Sequence, residues 1–376
     1  MPFAMLAAVA AGFVADGTVR AEGRGGSSVG GQDPNAAGIL VDLLGRASGP
    51  DGVLRVGLSP SAVRAQGNQL FVRGFAEGEL RLRESAHLRL RQALGYGSLD
   101  LSPVATVSGP GPVRTPAGTA FATVQESTTS LEADAATSRR LRWTGSAAWV
   151  VAGGADADAR TTFPLRRGPL LRGSAEWAAT QTDLLRFTVE GFDYRYSNDQ
   201  RSSVVSLAGG WQTRFERGTE LALSLGPAIG RTRRLDRSEE TLLYAVGTLD
   251  LRSAPARDVS AVVGGGIEPL GDSLTGDLVE RGSLRASVTW DRHRVVAITA
   301  RLVGSVALTS GSGGPTSPQA GDRYLQAEAS VSVPIDARST VAAGLRAAFL
   351  SRPVLDQPSN QWVAFVRYVA QLPLSR

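Results

Sequence analysis

From about Gly52 to the C-terminus, the chain consists of segments in which apolar and polar residues alternate one by one. In residues 141–151 the odd positions hold leucine, tryptophan, glycine, alanine and valine, whereas arginine, threonine, serine and alanine occupy the even positions from 142 to 148. Residues 171–180 and 325–333 repeat the pattern. Because successive side chains of a β-strand point to opposite faces, each segment predicts a strand with one apolar and one polar face.

The connections between these segments alternate between short and long. The short connections fall at 84–86, 135–138, 181–183, 216–219, 253–258, 291–294 and 335–339. The long ones, rich in Gly, Pro, Ser and Asp, fall at 60–68, 102–117, 153–167, 197–202, 231–239, 268–278, 310–322 and 351–360. This alternation is typical of an up-and-down barrel with turns at one end and loops at the other.

Counting back from a last strand at 361–372, the pattern predicts fifteen strands as far as Leu70, and a weaker segment at 52–59 makes sixteen. An even number places both termini at the same end. Fourteen strands is the alternative, because the segment at 119–134 is polar on both faces over Gln125–Ser130. The fold class predicted is all-β, a single up-and-down antiparallel transmembrane β-barrel of about 16 strands.

A soluble propeller or β-sandwich would also show alternation. Its strands are typically about 5–6 residues long, whereas many segments here reach the roughly 9–11 residues that a tilted membrane strand needs. The apolar positions are interrupted by Gly and Ala, which lipid tails tolerate better than a packed core does. The pattern therefore favours a membrane barrel over residues 52–376.

The first 51 residues do not show this alternation. The apolar run Phe3–Val14 has the length of a signal-peptide core, and a small-residue cleavage site follows at Val19–Ala21. Residues 1–21 are therefore predicted to be a signal peptide. Residues 22–51 are expected to form a flexible N-terminal segment, with one or two helical turns over 36–47.

Composition narrows the class of protein further. The chain is 42% hydrophobic with 44 glycines and no cysteine, and its mean hydropathy of -0.05 is too polar for a helical membrane protein. The absence of cysteine excludes disulfides and thiol chemistry. The net charge of +5 comes from arginines spread along the chain rather than from a basic stripe, which argues against nucleic acid as a partner.

Aromatic residues support the membrane assignment. Trp177, Trp211, Phe215 and Trp290 lie on the apolar faces near the short connections, where a girdle at the membrane–water interface is expected.

The last segment, QWVAFVRYVAQLPLSR, places Trp362, Val366, Tyr368 and Leu372 on one face. It resembles the C-terminal strand that the barrel-assembly machinery recognises, and residues 52–376 resemble porin-like outer-membrane β-barrel proteins of Gram-negative bacteria. The resemblance implies an outer-membrane location, with outer-membrane lipid and the barrel-assembly machinery as partners.

Few residues suggest chemistry. The two histidines, His87 and His293, lie beside short connections and are expected to be solvated. Asp156 and Asp158 lie on a long loop in a spacing that matches no calcium motif. The glycines at 264–266 lie within a strand and indicate a bend or bulge rather than a phosphate loop. We predict no enzymatic activity, no cofactor and no metal.

The polar faces carry many charged residues, and arginine predominates. Because arginine facing lipid at the bilayer midplane would cost about 2–4 kcal/mol, these side chains are expected to face the lumen. The candidates are Arg73, Glu77, Glu79, Arg81, Arg83, Arg89, Arg91, Arg140, Arg142, Arg172, Glu176, Arg214, Arg285, Arg301, Glu328, Arg346 and Arg367. They either bias a pore towards anions or form a structural Arg–Glu lattice.

Two functions fit this pattern. The first is a pore for diffusion or export of polar or anionic solutes, which the loops at 102–117 and 153–167 could narrow. The alternative is a non-enzymatic scaffold, a secretion or polysaccharide-export component that docks a periplasmic partner protein.

Overall fold

The computed structural model describes residues 13–29, 34–64, 68–100, 121–215, 218–233, 238–271, 276–292, 295–308, 323–351 and 359–373. Over these residues the chain consists of β-strands, their connections and one short helix. The strands are β1 Phe13–Val29, β2 Ala36–Gly49, β3 Gly52–Arg64, β4 Asn68–Arg83, β5 Ala86–Asp100, β6 Phe121–Ala136, β7 Leu141–Gly154, β8 Arg166–Ala178, β9 Asp183–Tyr196, β10 Arg201–Arg214, β11 Glu220–Arg233, β12 Glu239–Ala256, β13 Val259–Gly271, β14 Leu278–Arg292, β15 Val296–Ala307, β16 Arg323–Pro334, β17 Ser339–Ser351 and β18 Ser359–Pro373. The helix, α1, spans Ala157–Thr162 between β7 and β8.

The strands form one closed sheet. Each strand pairs antiparallel with its neighbours in sequence, and β1 closes the barrel by pairing with β18, from Asp16 opposite Pro373 to Val29 opposite Asn360. Closure satisfies the backbone groups of every edge, which a strand structure within a bilayer requires. The predicted fold class, a single up-and-down antiparallel barrel, is confirmed.

The two ends of the barrel differ. Turns such as 84–85 and 257–258 join strands at one end, the short-turn end, where β1 begins and β18 ends. The other end, the long-loop end, carries the longer connections, including α1. The predicted short and long connections fall between strands in the expected order.

The described residues form 18 strands, so the predicted 16 and the alternative of 14 are both wrong. The two additional strands lie in residues 13–49, where the end of a signal peptide and a flexible segment over 22–51 were expected, and the helical turns expected over 36–47 are wrong for the same reason. β1 includes residues 13–29, and β2 includes 36–49.

Composition explains why the alternation was hidden in these two strands. In β1 the outward positions are occupied mostly by small residues, including Gly17, Ala21 and Gly23, so no apolar stripe appears in the sequence. In β2 the outward Ile39 is followed by the inward Leu40, and apolar residues on both faces resemble a helical segment.

The predicted signal-peptide cleavage site falls inside β1. Ala21 pairs with Ile39 of β2 and with Tyr368 of β18. Residues 1–12 lie outside the described residues, so the leader itself stays a prediction, while the structure places no boundary at residue 21.

The outer surface of the barrel is apolar. Leucine, valine, isoleucine, phenylalanine and tryptophan side chains are exposed on it all around, which in water would be unfavourable and in lipid is required. The doubtful segment at 119–134 does form a strand, β6. Its outward polar residues bond across the strand pair: Gln92 Nε2 donates to Ser127 Oγ at 3.2 Å, and Gln92 also bonds Thr129.

Buried apolar side chains form only small clusters inside the barrel. One consists of Tyr324, Ala348, Leu350 and Val363, and the other is built around Leu278. In the described part of the chain, no helix has both the length and the apolar character needed to cross a membrane.

Candidate translocation pathway

The strand register assigns each residue to the outward or the inward face. In β7, Trp143 and Trp149 are exposed on the outer surface, so Arg142 and Ser146, which alternate with them, point into the barrel. We call the inward-pointing set the inner face.

The predicted lumen residues can now be placed. Those on the inner face of strands are Arg73, Glu77, Glu79, Arg81, Arg83, Arg89, Arg91, Arg142, Arg172, Glu176, Arg214, Arg285, Arg301, Glu328, Arg346 and Arg367. Arg140 lies in the turn before β7 rather than in a strand. Arg83 lies at a register irregularity beside the turn that joins β4 to β5.

Opposite charges face each other across neighbouring strands. In β3–β5, Arg55 pairs in register with Glu77, and Glu79 with Arg89. The Arg89 guanidinium lies 3.5 Å from Glu79 and 3.6 Å from Glu132 of β6. Directly opposed unlike charges stabilise strand pairs by a few tenths of a kcal/mol to about 1 kcal/mol each. The register therefore builds a charge lattice along the wall.

The lattice continues around the barrel through β7–β9. Arg142 Nε donates to Asp134 of β6 at 2.6 Å, and Arg172 Nη2 lies 2.7 Å from Glu190. Glu176 of β8 pairs with Arg186 of β9 both in register and through its carboxylate.

One ion pair of the lattice crosses a glycine. Asp250 of β12 and Arg285 of β14 both stand opposite Gly264 of β13, and their side chains meet above it. A Cβ on Gly264 would contact Asp250 and come within 3.0 Å of Arg285 Nε. The glycine run at 264–266 thus makes room for an ion pair, in addition to the strand bend that was expected.

A second set of pairs is largely shielded from solvent: the Arg346 side chain is fully buried, and those of its neighbours are 11–16% exposed. Arg346 of β17 donates to Glu328 of β16 at 2.8 Å and to Glu22 of β1 at 3.2 Å. Arg367 of β18 shares Glu22, at 2.6 Å. The guanidinium carbon of Arg346 lies over the ring of Phe365, 4.7 Å from the ring centroid. We call Glu22, Glu328, Arg346 and Arg367 the buried cluster.

Another group of arginines reaches into solvent-accessible space. The members are Arg142, Arg172, Arg186, Arg214 and Arg285, and we call them the accessible arginines. Their side chains are 49–72% exposed, whereas the carboxylates they pair with are 17–35% exposed. In each pair the longer arginine extends past its partner. The accessible surface here is therefore made of guanidinium groups although the charges are paired.

The long-loop end of the β13–β14 hairpin leaves the wall. β12 and β13 stay paired at this end only as far as Gly247 and Ile267, and β14 joins β15 only from Arg281. Between these points Leu278 is 1% exposed and packs against the inner faces of β10, β11 and β12. This end of the hairpin therefore folds into the barrel.

Further contacts fix the folded hairpin end against β9 and β10. A Cβ on Gly271 would contact the hydroxyl of Tyr196 and lie 3.1 Å from Ser202 Oγ. Two loops were expected to narrow the lumen. Residues 102–117 lie outside the described residues. In the other, 153–167, α1 lies next to β7, where the chain folds back from Phe163 to Gly154.

The described residues offer no grouping of side chains suited to a metal ion. Asp156 caps α1, accepting from the amide of Ala159 at 2.7 Å. His87 lies on the inner face at the short-turn end, with Nδ1 3.7 Å from Glu79. His293 lies outside the described residues.

Sequence reasoning missed part of the lattice. The missed residues are mainly carboxylates and their partners on the inner face: Glu22, Arg55, Glu126, Glu132, Asp134, Arg186, Glu190 and Glu220. For those outside β1, the odd–even position that identified the arginines was sufficient to find them. Glu22 could not be found in this way because β1 was not recognised as a strand.

Comparison with solved structures identifies the architecture. The barrel is similar to three Pseudomonas aeruginosa proteins, each over 96% of this chain. These are OccK11 (OpdR) at 11% identity, 96% coverage of that chain and a TM-score of 0.53; OccK2 (OpdF) in complex with glucuronate at 12%, 98% and 0.52; and OpdK with vanillate at 12%, 99% and 0.51. At this identity the likeness establishes the porin-type fold.

Comparison with sequences adds a family. The model of a family described as the EpsX exopolysaccharide export family matches residues 73–371, which is most of the barrel. No curated protein sequence matches the chain.

Proposed function

Since the chain belongs to the EpsX exopolysaccharide export family, we propose that it forms a pore in the outer membrane of a Gram-negative bacterium through which an exopolysaccharide leaves the cell. The family match over residues 73–371 carries this proposal. The closed barrel supports it, because a large number of strands encloses an interior wide enough for a channel. The proposed role is transport without a catalytic step.

The accessible arginines support an acidic polymer as the cargo. Their guanidinium groups project beyond the carboxylates that pair with them, so an incoming chain meets donors and positive charge first. Planar guanidinium groups bind carboxylates through two parallel hydrogen bonds. A polymer bearing carboxylates would find many equivalent, weak sites along the wall, and sites of this kind allow movement rather than trapping.

Planar-bilayer recording tests the proposal. We expect the purified barrel to conduct ions with a preference for anions. An acidic polysaccharide fragment added to one side should block the current at lower concentration than a neutral fragment of the same length. Glucuronate and glucose form the matched small pair, since OccK2 has been solved with glucuronate.

Two results would contradict the pore. Clear cation selectivity would reject the electrostatic argument. No conductance at all would favour the alternative, a closed scaffold that docks a periplasmic partner protein. The hairpin end that folds into the barrel would then be the element that closes it.

A further inference from the structure

An unusual row of arginines lies on the outer surface at the long-loop end. Arg167 of β8 pairs in register with Arg195 of β9, Arg195 with Arg201 of β10, and Arg201 with Arg233 of β11. All four are exposed. Like charges placed directly opposite each other on neighbouring strands are destabilising, so four in succession call for an external anion.

These side chains point away from the lumen. In each strand the residue that alternates with the arginine is buried on the inner face: Gly168, Tyr194, Ser202 and Thr232. The row is therefore separate from the accessible arginines of the pathway. It belongs to the surface that meets the membrane and its boundary.

Carboxylates on the strands neutralise the row only in part. Arg201 donates to Asp193 through two bonds, at 2.6 and 2.7 Å. Arg231, one step below the row on β11, pairs with Glu239. Within the described residues, no carboxylate lies within ion-pair distance of Arg167, Arg195 or Arg233, although Glu239, which pairs with Arg231, stands opposite Arg233 in register. Five arginines thus face two carboxylates on this patch, which we call the outer arginine patch: Arg167, Asp193, Arg195, Arg201, Arg231, Arg233 and Glu239.

The height of the patch suggests its ligand. The outward apolar residues of β11 run from Leu221 to Ile229, which matches the roughly 9–11 residues that cross the hydrocarbon layer. Arg231 and Arg233 follow directly. At about 3.3 Å per residue, Arg233 lies roughly 13 Å along the strand beyond Ile229. This is the level of the lipid headgroups on the side of the long loops.

We propose that the outer arginine patch binds the phosphate groups of a phosphorylated glycolipid in the outer leaflet of the outer membrane. Arginine matches phosphate through paired, charge-assisted hydrogen bonds, and basic clusters at the membrane boundary recognise anionic headgroups. The patch occupies four neighbouring strands, so one lipid with two phosphates can contact several arginines at once.

The test is lipid binding by the purified full-length barrel in detergent, followed by native mass spectrometry. The probes are lipid A with two phosphates and the same lipid after removal of its phosphates. The variant R195Q/R233Q removes two arginines that lack an ion-pair partner. The matched control is R64Q/R323Q, because Arg64 and Arg323 also face outward at the long-loop end, and the residues opposite them in register, Ala37, Asn68, Val306 and Ser351, are uncharged. Heat-modifiable migration verifies that each variant is folded.

We expect wild type and control to bind phosphorylated lipid A equally, and R195Q/R233Q to bind it about tenfold or more weakly. R195K/R233K keeps the charge but loses the planar two-bond geometry, so it should bind with an affinity between those of wild type and R195Q/R233Q. The binding of the dephosphorylated lipid should be the same for wild type and for every variant.

Unchanged binding by R195Q/R233Q, or an equal loss in the control, would overturn the proposal. So would displacement of the lipid by millimolar inorganic phosphate alone, or by an acidic polysaccharide at lower concentration than the lipid, because the patch would then serve another anion. None of these results depends on conductance, so this proposal and the export pore stand or fall separately.

Discussion

The buried cluster and the accessible arginines are built from the same residue types on the same inner face, yet their surroundings are opposite. Arg346 is fully buried between two carboxylates, whereas Arg172 is 62% exposed beside a single one. A buried charge depends on its partners, because water cannot replace them. An exposed ion pair contributes little to the free energy of unfolding, because water and salt compete with it. Arginine in this barrel is therefore enclosed by its partners in the buried cluster and remains open to solvent in the accessible arginines.

The largest expected effect is on stability. Arg346→Gln leaves Glu22 and Glu328 buried without their shared cation, so we expect the free energy of unfolding to fall by about 3–5 kcal/mol. Arg172→Gln, the matched accessible substitution, should cost less than about 1 kcal/mol. Urea unfolding in lipid vesicles, followed by tryptophan fluorescence, measures both.

Neutralising the whole buried cluster separates charge from packing. R346M/R367M/E22Q/E328Q removes all four charges, including Arg367, which also pairs with Glu22, so most of the lost stability should return. If the quadruple variant is as unstable as R346Q, packing rather than charge explains the loss, and the contrast between the two regions fails.

Gly264→Ala tests the ion pair that crosses β13. The added methyl group would contact Asp250 and crowd Arg285, and such overpacking costs about 1–3 kcal/mol. Gly173→Ala is the control, since no atom lies within 4 Å of its added Cβ. Equal stability of the two variants in the same unfolding assay would mean that the Asp250–Arg285 pair can move aside freely.

Selectivity should respond to the other region. Replacing Arg142, Arg172, Arg186 and Arg285 together by glutamine removes guanidinium groups and leaves their carboxylates, so the anion preference should fall by roughly twofold or reverse. Reversal potentials across a salt gradient measure the change. An unchanged ratio would mean that the current does not pass these side chains.

The smallest effect concerns salt. Raising the ionic strength from about 0.1 to 1 M shortens the screening length from roughly 10 to 3 Å. Anion preference should weaken, while the stability difference between wild type and R346Q should stay nearly constant. A large salt dependence of that difference would show that water and ions reach the buried cluster.

Much of this arrangement could be predicted from odd–even position alone. The alternation gave the barrel class, the order of turns and loops, and the inward direction of residues such as Arg142 and Arg285. It did not reveal β1, because glycine and alanine on the lipid side carry no apolar pattern. Because β1 was not recognised as a strand, Glu22 was not found, and the buried cluster around it could not be predicted.

Alternation also could not separate buried from accessible arginines. Arg346 and Arg172 look alike in sequence, and their surroundings depend on residues far away along the chain. The inward fold of the β13–β14 hairpin end could not be predicted from the alternation either, because it depends on where strand pairing stops rather than on which face a residue occupies.

The position of Glu22 has a consequence for assembly. It lies on the first strand, while Arg346 and Arg367, which bind it, lie 324 and 345 residues away on the last two. Contacts so distant in sequence form late, because closing a long chain segment costs entropy that only the finished structure repays. A slip of one residue between β1 and β18 would turn Glu22 towards lipid and leave Arg346 without one of its two carboxylate partners. These ion pairs therefore form only when the first and last strands pair in the correct register, so they stabilise the correctly closed barrel over one closed in a shifted register.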